Sequence, residues 1–196
     1  MIKRCFDIIF SIIGLIFLSP ILIIIAITLK LDSKGPVLFQ QDRVGKDNEG
    51  FKIFKFRTMR LNADKLGLLT VGDKDPRVTK VGYYLRKYKL DEFPQLFNVF
   101  IGNMSFVGPR PEVRKYVNHY TVSDLEIIKL KPGITDYASI YFRNEAELLK
   151  SATDYEKTYI EEIMPEKIRL NKIYLNKNNI FIDVKIIFKT LLSIIT

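Results

Sequence analysis

The chain has 196 residues, enough for one domain with a real core and too few for two large ones. Its 31 Lys and Arg outnumber 22 Asp and Glu, a formal +9, so an anionic partner is expected: nucleic acid, acidic lipid head groups or a phosphorylated substrate. A single cysteine, Cys5, and a single histidine, His119, exclude an internal disulfide, a multi-cysteine metal site and a histidine-built zinc site, and they fit a reducing, cytosol-facing setting.

Ile8 to Leu29 contains no charged residue, and 16 of its 22 positions are Ile, Leu or Phe. At about −0.5 kcal/mol per such residue, insertion into a bilayer is favourable. About 20 residues suffice to span the hydrocarbon core. A cleaved signal peptide is disfavoured, because the apolar run is too long and no small-residue cleavage site follows it. A spanning helix and a hairpin that enters and leaves by one face both remain open. Ser19-Pro20 at mid-run and basic residues on both flanks (Lys3 and Arg4, then Lys30 and Lys34) favour the hairpin. Proline removes an amide donor there, and the serine hydroxyl can help satisfy the carbonyl left open.

Asp32 to Pro36 is a turn-rich exit. Val37–Gln41 and Phe51–Arg57, joined by a polar turn, read as a short strand pair with one apolar and one cationic face. Residues 61–76 read as a loop. Val78–Tyr88 has helical spacing with a basic stripe of Lys80, Arg86, Lys87 and Lys89, and a second helix is expected from Asp91 to about Ile101. Gly108-Pro109-Arg110-Pro111 is a braced loop, since two prolines fix the backbone around the arginine. Helical stretches follow up to Lys131, where Pro132-Gly133 breaks them. The tail from Phe181 to Ile195 is amphipathic and suits either the domain core or a membrane interface.

Asp91 and Glu92 are the most informative pair. Their plain reading is capping: carboxylates at a helix start, with Pro94 in the first turn where its missing amide is no loss. Their functional reading is an ionised carboxylate acting as a nucleophile toward phosphorus or as a Mg²⁺ ligand. Lys55, Arg57, Arg86 and Arg110 each read singly as solvated charges, and converging on that pair they form a clamp for a diphosphate. No P-loop and no G-x-G-x-x-G fingerprint occurs. His119 reads as structural.

Lys3-Arg4 with Phe6-Asp7, the apolar run with Ser19-Pro20, Lys55–Met59, Leu90-Asp91-Glu92, Gln95–Val99 and Met104–Pro111 together resemble the bacterial sugar transferase family, the small monotopic phosphoglycosyl transferases, over nearly the whole chain. The resemblance implies an α+β, mostly helical fold: a re-entrant membrane helix hairpin over residues 1–34, then a small cytosol-facing catalytic domain over 35–196 with amphipathic interfacial helices. It implies transfer of a sugar-1-phosphate from a UDP-sugar to polyprenyl (undecaprenyl) phosphate with release of UMP, the first membrane step of polysaccharide or glycoconjugate synthesis. Asp91 then attacks the β-phosphorus to give a phosphosugar-aspartyl intermediate, beside Glu92, with Mg²⁺ held near the two. Lys55, Arg86 and Arg110 fall on phosphate-binding positions, Arg143 and Asn144 match the family's Arg-Asn pair, and Ser19-Pro20 is the helix break. The partners implied are the donor, the lipid acceptor and membrane lipid, with no nucleic acid and a homo-oligomer left open; the location implied is the inner membrane, facing the cytosol.

Two departures stand out. After Pro132-Gly133-Ile134-Thr135 the family often has Gly-Trp-Ala-Gln-Val, whereas this chain has Asp136-Tyr137-Ala138-Ser139-Ile140, which leaves the sugar open. The extra membrane helices of larger relatives are missing, so a minimal form is expected. The competing classes are a non-enzymatic basic module binding a membrane surface, whose affinity would be salt-sensitive and indifferent to Asp91, and a lipid diphosphatase using the same carboxylates.

Overall fold

The computed structural model describes residues 2–63, 67, 69 and 75–195. Its first element, α1 (Ile2–Asp32), is one continuous helix with Pro20 inside. Proline has no N–H to offer the carbonyl four residues back, which is that of Ile16. The Ser19 hydroxyl donates to this same carbonyl at 2.8 Å, so the group left open is satisfied locally. Ile13, Ile16, Phe17, Ile23, Ile24 and Ile27 are all exposed, so most of α1 has no protein partner. By length and composition it is long and apolar enough to cross a membrane.

Strands β1 (Leu38–Val44) and β2 (Gly50–Phe56) pair antiparallel, Leu38 opposite Phe56 and Val44 opposite Gly50. The expected apolar and cationic faces do not separate. Adjacent Ile53 and Phe54 break the alternation, so Phe51, Ile53, Lys55 and Arg57 share one parity and Lys52, Phe54 and Phe56 the other. Ile53 packs with Val99 and Met104, while Phe56 packs with Ile25, Leu29 and Leu85.

Most of the expected loop at 61–76 lies outside the described residues. Helix α2 (Lys80–Lys87) is capped by Thr79, whose side chain accepts from the Gly82 amide. Gly82 itself lies against Thr58: a Cβ there would sit 2.1 Å from the Thr58 carbonyl oxygen, so only glycine lets α2 approach the end of β2.

The helix expected from Asp91 begins later. Lys89 adopts a left-handed conformation (φ 56°), residues Leu90–Glu92 form one separate 3₁₀ turn, and α3 runs Gln95–Ile101 with Pro94 at its cap. A left-handed residue and a proline five positions apart leave room for a single tight turn, and the two carboxylates sit in it. Asn98, fully buried, fastens α3 to β2: its Oδ1 accepts from the Phe54 amide at 2.9 Å and its Nδ2 donates to the Lys52 carbonyl at 2.8 Å.

The structure adds a parallel pair that the sequence pattern does not display, β3 (Ser105–Val107) beside β4 (Gly133–Thr135). Gly108 and Gly133 meet at its end, where a Cβ on Gly133 would lie 2.1 Å from the Gly108 nitrogen. Between the strands lie α4 (Arg114–Val117) and a 3₁₀ turn over Asp124–Lys129. After β4 come α5 (Tyr137–Tyr141), α6 (Glu145–Lys150), α7 (Tyr155–Thr158), a π turn at Tyr159–Ile163 and α8 (Met164–Lys177). Val113, Tyr116, Leu149, Tyr159, Ile163 and Ile168 form the largest buried cluster there.

The last helix, α9 (Ile180–Ile195), packs on the domain along one face and leaves an apolar face uncovered. Ile186 is buried against Val107 and Tyr174. Phe181, Val184, Phe188 and Leu191, spaced three or four residues apart, face out and are more than half exposed.

Candidate active site

Three segments bring cations around the 3₁₀ turn at Asp91-Glu92. Strand β2 brings Lys55, whose Nζ donates to Glu92 Oε1 at 3.1 Å. The loop after β3 brings Arg110, which donates to both Glu92 oxygens, Nη1 to Oε2 at 3.2 Å and Nη2 to Oε1. Helix α2 brings Arg86, whose Nε donates to Thr58 Oγ1 at 2.9 Å. The loop is aimed by Asp136, fully buried at the start of α5: its Oδ2 accepts from the Arg110 amide at 3.0 Å and its Oδ1 from the Ser139 amide at 2.5 Å. The close Gly108–Gly133 contact sets this distance, since β4 ends one residue before Asp136.

The two carboxylates differ sharply. Burial works against ionising Glu92, yet Arg110 and Lys55 outweigh it and hold its carboxyl well below the usual range. Asp91 is also buried, and among the described residues its carboxylate accepts no hydrogen bond. Burial, and then the negative charge of Glu92, push its carboxyl up, against the pull of Lys55, Arg86 and Lys89. Glu92 is thus fully paired, and among the described residues the Asp91 carboxylate is not. Lys55 is pushed below the ordinary lysine range by burial, with Glu92 opposing.

The pair opens into a cavity of about 560 Å³, large enough for a nucleotide-sized ligand. Asp91, Glu92, Lys55, Arg86, Arg110, Arg143 and Asn144 all line it. Arg143 also reaches out to the Ser193 carbonyl on α9 at 3.2 Å. Arg57 does not line the cavity. Its guanidinium donates to the carbonyls of Ser33 (2.8 Å) and Lys34 and to Ser33 Oγ (3.1 Å), where the chain leaves α1. Arg57 lies one residue beyond the end of β2, and its side chain points to the α1 exit rather than to the Lys55 side of the turn.

Several lining residues were not singled out by sequence. Arg43, partly buried on β1, donates to the Pro111 carbonyl at 2.9 Å and faces Glu112. Tyr159 donates to Glu112, and Lys167 pairs with Glu145 at 2.5 Å. Asp136 had a local signal, an Asx residue directly before a helical run. The others depend on helices α6 to α8, whose packing no short motif announces.

Both ends of α1 touch this same domain. Near its start, Lys3 donates to the Val107 carbonyl (2.9 Å), Tyr174 (2.8 Å) and Asp183 (2.5 Å), and Arg4 donates to the carbonyls of Val99 (2.6 Å) and Phe100 (2.7 Å). Asp7 accepts from Ser105 (3.0 Å) and the Phe106 amide (3.1 Å). Near its end, Ile25 and Leu29 pack on Phe56 and Leu85, and Arg57 holds the exit.

Comparison with known proteins places these features in a wider set. The family model described as bacterial sugar transferase matches residues 1–196. A UDP-N-acetylgalactosamine-undecaprenyl-phosphate N-acetylgalactosaminephosphotransferase from Aeromonas hydrophila is 39% identical over 201 residues, covering 100% of this chain and 44% of its own length. A UDP-glucose:undecaprenyl-phosphate glucose-1-phosphate transferase from Escherichia coli (strain K12) is 36% identical, covering 97% of this chain and 39% of its own length. A Bacillus subtilis (strain 168) protein named as a putative undecaprenyl-phosphate N-acetylgalactosaminyl 1-phosphate transferase is 45% identical over 111 residues, 57% of this chain and 62% of that protein. The chain therefore spans about two fifths of the length of the first two. With the family model covering every residue, the chain belongs to the bacterial sugar transferase family.

Proposed function

We propose that this chain is a phosphoglycosyl transferase that moves a sugar-1-phosphate from a UDP-sugar to a polyprenyl phosphate such as undecaprenyl phosphate. The observation that carries the reading is Asp91: a buried carboxylate with no hydrogen-bond partner among the described residues, opening into a cation-lined cavity beside a Glu92 already neutralised by Lys55 and Arg110. A purely capping aspartate would spend its oxygens on backbone amides.

In the reaction, an Asp91 oxygen attacks the β-phosphorus, an acyl-phosphate bond forms, and the bond to the bridging oxygen breaks so that UMP departs. A phosphate oxygen of the lipid then attacks the same phosphorus and returns the electron pair to Asp91. Both steps are phosphoryl transfers, where positioning and charge neutralisation do most of the catalysis. Arg86, Lys55 and Arg110 supply fixed positive charge around the diphosphate. Arg110 is held for this by the Asp136 contact to its backbone.

The residues fit Mg²⁺ in part. Asp91 offers open oxygens, and Mg²⁺ is commonly held by one or two carboxylates together with substrate phosphates. Both Glu92 oxygens already accept from Arg110, and Oε1 also from Lys55, so Glu92 joins a metal only by releasing a cation. Bound at Asp91, Mg²⁺ would offset diphosphate charge.

The membrane geometry follows from the docking of α1. A straight helix of 31 residues is roughly 46 Å long, more than a bilayer core. A spanning helix would leave one end on the far side, yet Lys3, Arg4 and Asp7 at one end and Leu29, Ser33 and Lys34 at the other all contact one domain. This supports a monotopic arrangement in which α1 enters and leaves by the cytosolic face of the inner membrane, bent at Ser19-Pro20. The outward faces of α3 (Phe97, Phe100, Ile101) and α9 then rest in the interface.

The direct test is UMP release from a panel of UDP-sugars with undecaprenyl phosphate present. Asp91→Asn should lose about 10⁴-fold or more in kcat while still folding. Turnover within tenfold of the parent would sink the nucleophile assignment.

A further inference from the structure

We propose that Ser139 and Asn171 form a subsite for the glycosyl group of the nucleotide-sugar donor and set which sugar is taken; the inference rests on the transferase reading above. Ser139 lies on α5 and Asn171 on α8, two helices that pack together, and both line the cavity that holds Asp91. Asn171 is only 5% exposed. Its Oδ1 and the Ser139 Oγ are buried with no hydrogen-bond partner. A buried polar atom left without a partner is costly, and such atoms in native proteins call for an explanation. Two of them, on facing helices and lining one cavity, are explained by a ligand that supplies the missing partners.

The surroundings select the kind of ligand. Near the pair the cavity wall includes Ala138, Phe142 and Ile168, and the Lys167 charge beside Ile168 is already matched by Glu145. Hydroxyl and carboxamide groups on an otherwise apolar wall suit a neutral, hydroxyl- or amide-bearing ring; the phosphates belong nearer Arg86 and Lys55. The donor has two neutral ends, uracil and sugar. Two relatives that share a UDP donor in their names differ in the sugar, N-acetylgalactosamine in one and glucose in the other. The sugar is the part of the donor that differs between those two names, and a hydroxyl and a carboxamide are groups that tell hydroxyl- and amide-bearing rings apart. Asp136 fixes the geometry, because its side chain ties the Ser139 amide to the Arg110 amide and so couples the subsite to the phosphate clamp.

The experiment measures binding to the full chain in lipid nanodiscs by calorimetry, with UMP, UDP, UDP-glucose, UDP-galactose, UDP-N-acetylglucosamine and UDP-N-acetylgalactosamine as probes. The parent protein should bind at least one UDP-sugar more tightly than UDP. Asn171→Leu, which replaces an unpartnered polar group by an apolar one of similar size, should keep or raise the melting temperature. It should cut the advantage of that UDP-sugar over UDP by about tenfold or more, leaving UDP affinity unchanged. Ser139→Ala should act in the same direction, and Ser139→Gln should change the ranking of the sugars. A parallel loss of UMP and UDP affinity would assign the pair to the uridine and overturn the proposal. Unchanged binding of every probe, or a parent protein that holds UDP-sugars no better than UDP, would overturn it equally. If the binding pattern holds but no UMP is released, the subsite stands and the transferase reading fails.

Discussion

Two adjacent carboxylates, one residue apart in a single tight turn, have been given opposite electrostatic fates. Glu92 is the counter-ion of Arg110 and Lys55, whereas Asp91 is raised by its own burial and by Glu92's charge. Glu92→Gln should therefore lower the Asp91 pKa, because a negative neighbour is lost and two cations are released toward it. If catalysis requires ionised Asp91, the acid limb of kcat/KM lies above the ordinary aspartate range in the parent and moves to lower pH in the variant. A limb that stays in place or rises would contradict the assignment. The same substitution should cost about 2–4 kcal/mol of stability by stripping a partner from two inward-facing cations, less than for a sealed pair because the Arg110 side chain is 36% exposed. Glu92's contribution has the usual carboxylate sign: it is present at neutral pH and lost as pH falls through its depressed folded value. The pair and its basic partners Lys55, Arg86 and Arg110 were legible in sequence. The real work of Arg57 was not, because the carbonyls it holds are 23 and 24 residues away and the fold alone brings them within reach.

At the scale of elements, α1 is tied into the same strands that build the site. Lys3 reaches the carbonyl of Val107, three residues before Arg110, and Arg57 sits two residues after Lys55. The buried Arg57, donating to both exit carbonyls, should be worth about 2–3 kcal/mol. Arg57→Ala should lower the melting temperature and speed trypsin cleavage after the exposed Lys34, while Arg57→Lys, which keeps the charge but loses the fork, should fall between. Cleavage at the parental rate would show that the clamp does not hold the exit. Hydropathy sufficed to find α1, and spacing sufficed for α2 and the first strand pair. The mixed faces of β2 escaped because Ile53 and Phe54 break the period of two. The β3–β4 pair escaped because three-residue strands, 26 residues apart at their nearest ends, carry no periodic signal. Helix α3 starts late for a reason visible only in the backbone, the left-handed Lys89.

At the scale of the whole molecule, the proposed function brings a soluble donor and a lipid acceptor to one carboxylate, Asp91, at a membrane face. Exposed apolar residues on α1, α3 and α9 and the contacts of both α1 ends with the rest of the chain are the observations that support the proposed arrangement. Native Cys5 is exposed beside Lys3 and Arg4, which gives a direct topological probe. In sealed vesicles, a membrane-impermeant maleimide should label Cys5 and a Lys34→Cys site in a Cys5→Ser background from the same side. Labelling from opposite sides would establish a spanning helix. The central claim concerns Asp91, and one measurement addresses it most directly. Incubation with a UDP-sugar carrying labelled β-phosphate, without lipid acceptor, should leave label on the protein at Asp91. Adding undecaprenyl phosphate should discharge it into lipid, and Asp91→Asn should acquire none. Full turnover with no labelled protein at any time, or label retained in Asp91→Asn, would contradict the account.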